Sequence, residues 1–256
     1  MNSIAATTGI IGAAVATRLT WATLAPTSSF WGTVHFRSMS NQPEGYALTF
    51  DDGPTRDSTT AILDILAELR VQATFFVIGA NAQKNPDLLV RMQDGGHLIA
   101  NHSLDHFRLG MFCSRRYWTR QIQVTNAIIE RAIGCKPAMF RPPLGAKIWC
   151  AINAAKTEGL SVVTWNRRGV DGIATTPERI INRLVPHTVH GDVVLLHDGV
   201  EPGSRRKQTA TVKALKPLIQ GLRDRGLSPV PLDQLLGLPA YLPGATSEPI
   251  ATERTP

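Results

Sequence analysis

Two adjacent carboxylates, Asp51 and Asp52, close the apolar run Tyr46-Ala47-Leu48-Thr49-Phe50 and are followed by Gly53-Pro54. The run reads as a short buried strand and Gly-Pro as its turn. Neighbouring side chains on an extended backbone point to opposite sides, so the pair suits two tasks, one metal ligand and one general base. The alternative is an Asx-type turn whose carboxylates only cap backbone N–H groups. Further along, His102 and His106 stand four residues apart in Asn101-His102-Ser103-Leu104-Asp105-His106. On one helical turn that spacing brings both rings to one face, within reach of one divalent ion; taken alone, the pair reads as well as two surface or capping histidines. Joined to Asp52 they make an open three-ligand site. Such a site suits zinc, or cobalt or another transition metal, with a position left for water.

Arg141 sits in Phe140-Arg141-Pro142-Pro143-Leu144-Gly145, a permanent cation on a turn that consecutive prolines make rigid. It can hold a carboxylate in a fixed fork, or be a surface arginine on a proline-rich corner. Asp171, between Val170 and Gly172, is either its partner or a turn residue. His197 is delivered to the tip of the apolar run Val193-Val194-Leu195-Leu196. A histidine there is either hydrogen-bonded into the rim or a general acid facing water across the same mouth. His97 precedes the third strand, at its wrong end, and reads as structural.

Strand-like and helix-like segments alternate from Tyr46 onward, with strands expected near 46–50, 73–78, 98–100, 138–140, 161–165, 193–197 and 228–231. A long helix is expected over 115–133, stopped by Gly134. Strict alternation argues for a parallel sheet, open or closed as a barrel. The reactive residues fall at the C-terminal strand ends, where barrel enzymes carry their chemistry, and the opposite loops carry helix-terminating glycines. Residues 1–40 read as leader and linker, in which Phe30, Trp31, Val34 and Phe36 can pack on the domain edge as a lead-in strand, 41–238 as the domain, and 239–256 as a disordered tail rich in Pro, Thr and Glu.

The 256 residues carry a net charge of +7. The basic clusters are short, scattered and not interleaved with aromatics, which argues against nucleic acid. Cys113, Cys135 and Cys150 form no disulfide framework. Ile4 to Ala16 is apolar and small-residue-rich, and Ala14-Val15-Ala16 resembles a cleavage site, although no Lys or Arg precedes it. The stretch reads as a signal peptide or weak membrane anchor, which places the chain outside the cell or on its envelope rather than in the cytosol. A monomer is expected.

Taken together, TFDDGP, NHSLDH, RPPLG, the Trp165-to-Asp171 segment and LLHD follow the order and approximate spacing of a known family. The sequence resembles the polysaccharide deacetylases, the NodB-homology group of carbohydrate esterase family 4, from about Tyr46 to Leu236. The resemblance implies a single α/β domain folded as an irregular (β/α)7-type barrel. It implies Asp51 as catalytic base, Asp52, His102 and His106 as metal ligands, and Arg141 as the residue that orients the base. Asp171 becomes the acidic partner of the histidine or the arginine, and His197 the general acid. Pro143, Leu144, Trp165 and Leu195 map to the substrate wall, Leu195 to the pocket for the acetyl methyl. The implied reaction is removal of N-acetyl groups from an N-acetylglucosamine polymer, chitooligosaccharide or peptidoglycan. The same machinery would serve an O-acetyl (xylan) esterase or a cyclic amide hydrolase, and a non-catalytic glycan-binding envelope protein is the reading from another class. Leu144 stands where the family usually has Tyr, Gly172 where an aromatic is common, and Asn166-Arg167-Arg168 is unusually basic. These departures bear on substrate more than on reaction type.

Overall fold

A computed structural model describes residues 17–40, 43–204 and 206–243. Seven strands, β1 (Ala47–Asp51), β2 (Thr74–Val77), β3 (Leu98–Asn101), β4 (Met139–Phe140), β5 (Ser161–Val162), β6 (Arg167–Arg168) and β7 (Val193–His197), form one sheet in the order β5-β4-β3-β2-β1-β7-β6. All the pairs are parallel. A helical stretch, α1, covers 17–24. It is followed by α2 (Arg56–Leu69), α3 (Gly79–Lys84), α4 (Pro86–Asp94), α5 (Arg115–Ile133), α6 (Trp149–Thr157), α7 (Pro177–Leu184), α8 (Thr209–Arg223) and α9 (Leu232–Leu236). The expected seven-stranded barrel is present as a curled half-barrel, with β5 and β6 as its edges.

Alternation along the strands separates two cores. Leu48, Phe50, Phe75, Val77, Ile99, Val194 and Leu196 pack outward against Ile62 and Leu66 of α2, Ile129 of α5 and Leu215 and Leu218 of α8. Ala47, Phe76, Ala100, Met139, Val163, Trp165, Val193 and Leu195 pack inward, closed at the floor by Leu232 and Leu235 of α9. With both faces covered, strands such as β7 read as continuous apolar runs. The floor is thus apolar, and the inner face is free to carry polar groups at the other end.

Three expectations change. The strand expected at 228–231 reduces to a single bridge between Tyr46 and Pro229. The strand missed by sequence is Arg167–Arg168, two residues paired with Val194 and Leu195. No helical turn carries His102 and His106; they lie in a loop in which Ser103 and His106 have φ of 68° and 53°.

Residues 17–38, read as leader and linker, lie against the domain. His35 bridges Val163 at the β5 edge and Arg37 bridges Asp192 before β7, so this segment spans the gap between the sheet's edges. Lys147 Nζ donates to the carbonyls of Ala25 (2.6 Å) and Gly145 (3.3 Å), and Thr164 Oγ1 donates to Pro26 O (2.6 Å). At the other end, Tyr241 bridges Pro137, so the first residues of the expected tail are paired. The Ile4–Ala16 run and residues 244–256 lie outside the described residues. Among the described residues no helix is long and apolar enough to cross a membrane.

Candidate active site

Period-two alternation sends Thr49 and Asp51 of β1 and Leu195 and His197 of β7 to the inner face, where Asp51 and His197 sit in register at the strand tips. Arg141 follows β4 and is fully buried. Its guanidinium donates to Asp51 Oδ1 (2.6 Å), Thr49 Oγ1 (2.9 Å) and the carbonyls of Val163 (3.3 Å) and Thr164 (3.0 Å), and stacks 3.8 Å from the Phe76 ring. A buried arginine held by five contacts is a fixed fork, and it fixes one oxygen of Asp51 while leaving Oδ2 toward the mouth. Oδ2 lies 3.7 Å from His102 Nε2.

Asp52 follows the strand with φ of 77°, a left-handed conformation that a non-glycine residue adopts at a cost of roughly 1 kcal/mol or more. That turn brings Asp52 into the same mouth as Asp51, where simple alternation would have sent it away. Neighbouring loops leave no choice. Gly53 N–H donates to Asp198 Oδ1 (3.1 Å), and a Cβ on Gly53 would sit 1.9 Å from Asp198 Oδ2. A Cβ on Gly199 would sit 2.5 Å from Asp52 O, which also accepts from Asn81 Nδ2 (2.8 Å).

Asp52 Oδ1 lies 3.4 Å from Nε2 of both His102 and His106, whose ring centroids are 5.1 Å apart. Donor atoms of the three residues lie within 4.8 Å of one another, all buried. His102 Nδ1 is 2.8 Å from the Arg141 carbonyl and therefore carries the proton, which leaves the Nε2 lone pair facing Asp52. His106 Nδ1 faces Glu201 Oε1 at 3.4 Å, and Glu201 is held by Arg108. Asp52 Oδ1 is buried with no hydrogen-bond donor among the described residues. Burial opposes charge on Asp52, but the imidazoles of His102, His197 and His106 hold its carboxyl well below the usual carboxylate range. Burial likewise lowers the His102 pKa, yet Asp51 and Asp52 raise it overall, so the position attracts positive charge. An orphaned carboxylate oxygen between two imidazole nitrogens fits a divalent cation.

Across the mouth, His197 Nδ1 lies 2.9 Å from Asp171 Oδ1, and Asp171 Oδ2 accepts from His197 N–H (2.8 Å) and Thr211 Oγ1 (2.7 Å). Asp171 therefore belongs to the histidine, and Arg141 to Asp51. Burial would lower the His197 pKa, but the Asp171 carboxylate outweighs it and pushes it up to about 9.

Asp51, Asp52, His102, His106 and His197 line a cavity of ≈ 250 Å³ together with Leu144, Trp165 and Leu195, and Arg141 and Asp171 stand behind Asp51 and His197. Pro143 is buried in its turn and is not part of the wall. Leu144 has φ of 57° and is about half exposed. A wider groove of ≈ 590 Å³ between α2 and α4 holds His97, whose Nδ1 accepts from Ala73 N–H, and no reactive cluster. All seven charged or imidazole residues singled out from the sequence meet at one mouth. Sequence reading missed Glu201, Asp198, Asn81 and Thr49, which support that set; the Asp198-Gly199 pair after His197 was the one signal available.

The polysaccharide deacetylase family model matches residues 39–163. A chitooligosaccharide deacetylase of Sinorhizobium fredii is 39% identical over 200 residues, 74% of this chain and 90% of that protein. A peptidoglycan-N-acetylglucosamine deacetylase of Bacillus cereus is 33% identical over 198 residues, 77% and 90% of the two chains. The crystal structure of a peptidoglycan N-acetylglucosamine deacetylase superposes with a TM-score of 0.75 at 31% identity, covering 82% of this chain and 95% of that one. Relatives of this extent, on the same fold, leave one assignment: the chain belongs to the polysaccharide deacetylases, the NodB-homology group of carbohydrate esterase family 4, and is a hydrolase of that family.

Proposed function

We propose that this chain removes N-acetyl groups from N-acetylglucosamine-containing polysaccharide, with Asp52, His102 and His106 holding a divalent ion, zinc by the chemistry of one carboxylate and two imidazoles. When bound, such an ion supplies Lewis-acid polarisation of the acetamide carbonyl and acidifies water at the open position. Asp51 accepts the proton of the attacking water through Oδ2, while Arg141 keeps Oδ1 occupied and the carboxylate in place. His197, protonated at neutral pH by virtue of Asp171, gives its proton to the departing amine. The Leu144 N–H, in a left-handed turn on the cavity wall, is the proposed oxyanion donor, an interaction worth roughly 3 kcal/mol. Leu195 and Trp165 offer the apolar surface for the acetyl methyl.

The observation that carries this reading is the separation of two carboxylates by partner: Asp51 on a buried arginine, Asp52 between two imidazoles. A structural turn requires neither. Acetate release from N-acetylated chitooligomers and from peptidoglycan, with and without chelator, tests it. Expected is chelator-sensitive release, and a loss of about 10²–10⁴-fold in Asp51→Asn with metal still bound. No acetate from any amino-sugar polymer by the zinc-loaded or cobalt-loaded protein would overturn it.

A further inference from the structure

The basic loop Asn166-Arg167-Arg168 has no part in this chemistry, yet its last residue lines the cavity. Arg167 turns to Asp192 and meets its carboxylate at 2.8 Å. Arg168, the next residue, goes the other way. It is in register with Leu195 on β7, paired positions of parallel neighbours project to one face, and both residues line the cavity.

The carboxylates at this mouth already have partners. Asp51 is matched by Arg141, Asp171 by His197 and Glu201 by Arg108, while Asp52 sits between the two imidazoles. Arg206 lines the same cavity with its guanidinium on the Gly172 carbonyl. Among the described residues no carboxylate lies within ion-pair distance of Arg168 or Arg206. Two guanidiniums are therefore left over beside the apolar surface of Trp165, Val170 and Ile173. The Arg168 fork, for which the described residues offer no hydrogen-bond acceptor, is matched best by a carboxylate.

We propose that Arg168, assisted by Arg206, forms an anion subsite, and that the preferred substrate is an amino-sugar chain carrying carboxylates close to the acetamide that reacts. The inference rests on the deacetylase reading of the site and adds the charge of its substrate. A neutral chitooligomer offers these guanidiniums only hydroxyl and amide oxygens. The chain's net charge of +7 also favours approach of a polyanion.

Two N-acetylated tetrasaccharides of equal length separate the possibilities. One carries lactyl ether carboxylates on alternate sugars, and in the other these are converted to methyl amides. Expected is a kcat/KM about tenfold or more higher for the carboxylate form, expressed in KM and shrinking as salt is raised. In Arg168→Gln the ratio between the two substrates falls to about one, and Arg168→Lys, which keeps charge without the fork, retains part of it. Equal values in the wild type, or a ratio that survives Arg168→Gln, overturns the subsite. Acetate from neither substrate would overturn the deacetylase reading instead, and calorimetric titration of the same pair into the zinc-loaded protein still decides the subsite.

Discussion

Asp171 touches none of the proposed metal ligands, yet it sets the protonation of the residue that has to give up a proton. One of its oxygens holds the His197 ring and the other its backbone N–H and Thr211. A His197 pKa of about 9 keeps the ring protonated through neutral pH, so kcat should fall as pH rises through about 9. Asn in place of Asp171 keeps the shape and removes the charge, and burial then lowers the histidine against only the weaker pull of the Asp52 and Asp51 carboxylates. The alkaline limb of the kcat profile in Asp171→Asn should move down by roughly a unit or more, with a loss of about tenfold or more at pH 7.5. A pH–rate series checks this, and an unmoved limb would show that Asp171 only positions the ring. The sequence left Asp171 between two partners because nothing along the chain tells which of two cations lies across a barrel mouth. Asp51 and Asp52 were separable from alternation alone, but the left-handed backbone at Asp52 was not. Asp198 and Glu201 stayed silent because their partners are far along the chain, Gly53 and Thr59 at 145 and 139 residues from Asp198, and His106 at a comparable remove from Glu201.

Six of the seven strands are legible in the sequence, most plainly the long ones buried on both faces, β1, β2 and β7, whose apolar runs have no other use. β6 has two residues, both arginine, and exists only because Val194 and Leu195 offer it an edge. In the segment 17–38 only the edge packing of the stretch around Val34 was legible, for a related reason. It has no period of its own, and its order comes from contacts with Lys147, Val163 and Thr164, more than a hundred residues on. Lys147 is the residue on which this docking turns. It is fully buried, its ammonium meets carbonyls of Ala25 and Gly145 and, among the described residues, no carboxylate, and burial pushes its pKa down to about 8. Lys147→Met fills the space but leaves those carbonyls without a donor, at a cost of about 1–3 kcal/mol. Urea titration should register that loss, and limited proteolysis should cut within residues 17–31 of the variant under conditions where the wild type is intact. Unchanged stability together with unchanged cleavage would show that the segment is held by its other contacts, the His35 bridge and the Thr164 hydrogen bond among them.

At the scale of the molecule, the two ends of the half-barrel have different duties. The mouth gathers the charged groups, and the floor is apolar, with Leu232 and Leu235 under Ala47 and Val193. His97 lies at the floor end, edge-on to the Phe75 ring of β2 at 5.4 Å, and its Nδ1 accepts from the N–H of Ala73, just before that strand, at 3.2 Å. A ring that accepts through Nδ1 in this setting must be neutral at that atom, and burial pushes its pKa down to about 4 from the ordinary 6.5. The unfolded chain takes up the proton as pH falls through 6.5, and the folded chain resists until about 4. Stability from this residue is therefore present above pH 6.5 and is lost as pH falls toward 4, about 3 kcal/mol over the whole window. His97→Gln keeps an acceptor for Ala73 N–H and removes the titration. Urea unfolding at pH 7.0 and 4.5 should show wild-type stability dropping by about 2 kcal/mol more than that of His97→Gln. The contrast is independent of the metal ligands, which titrate at the far end of the sheet in both proteins alike. Parallel pH dependences in the two proteins would mean that His97 protonates in place at little cost, and that the floor is more accessible to water than its packing implies.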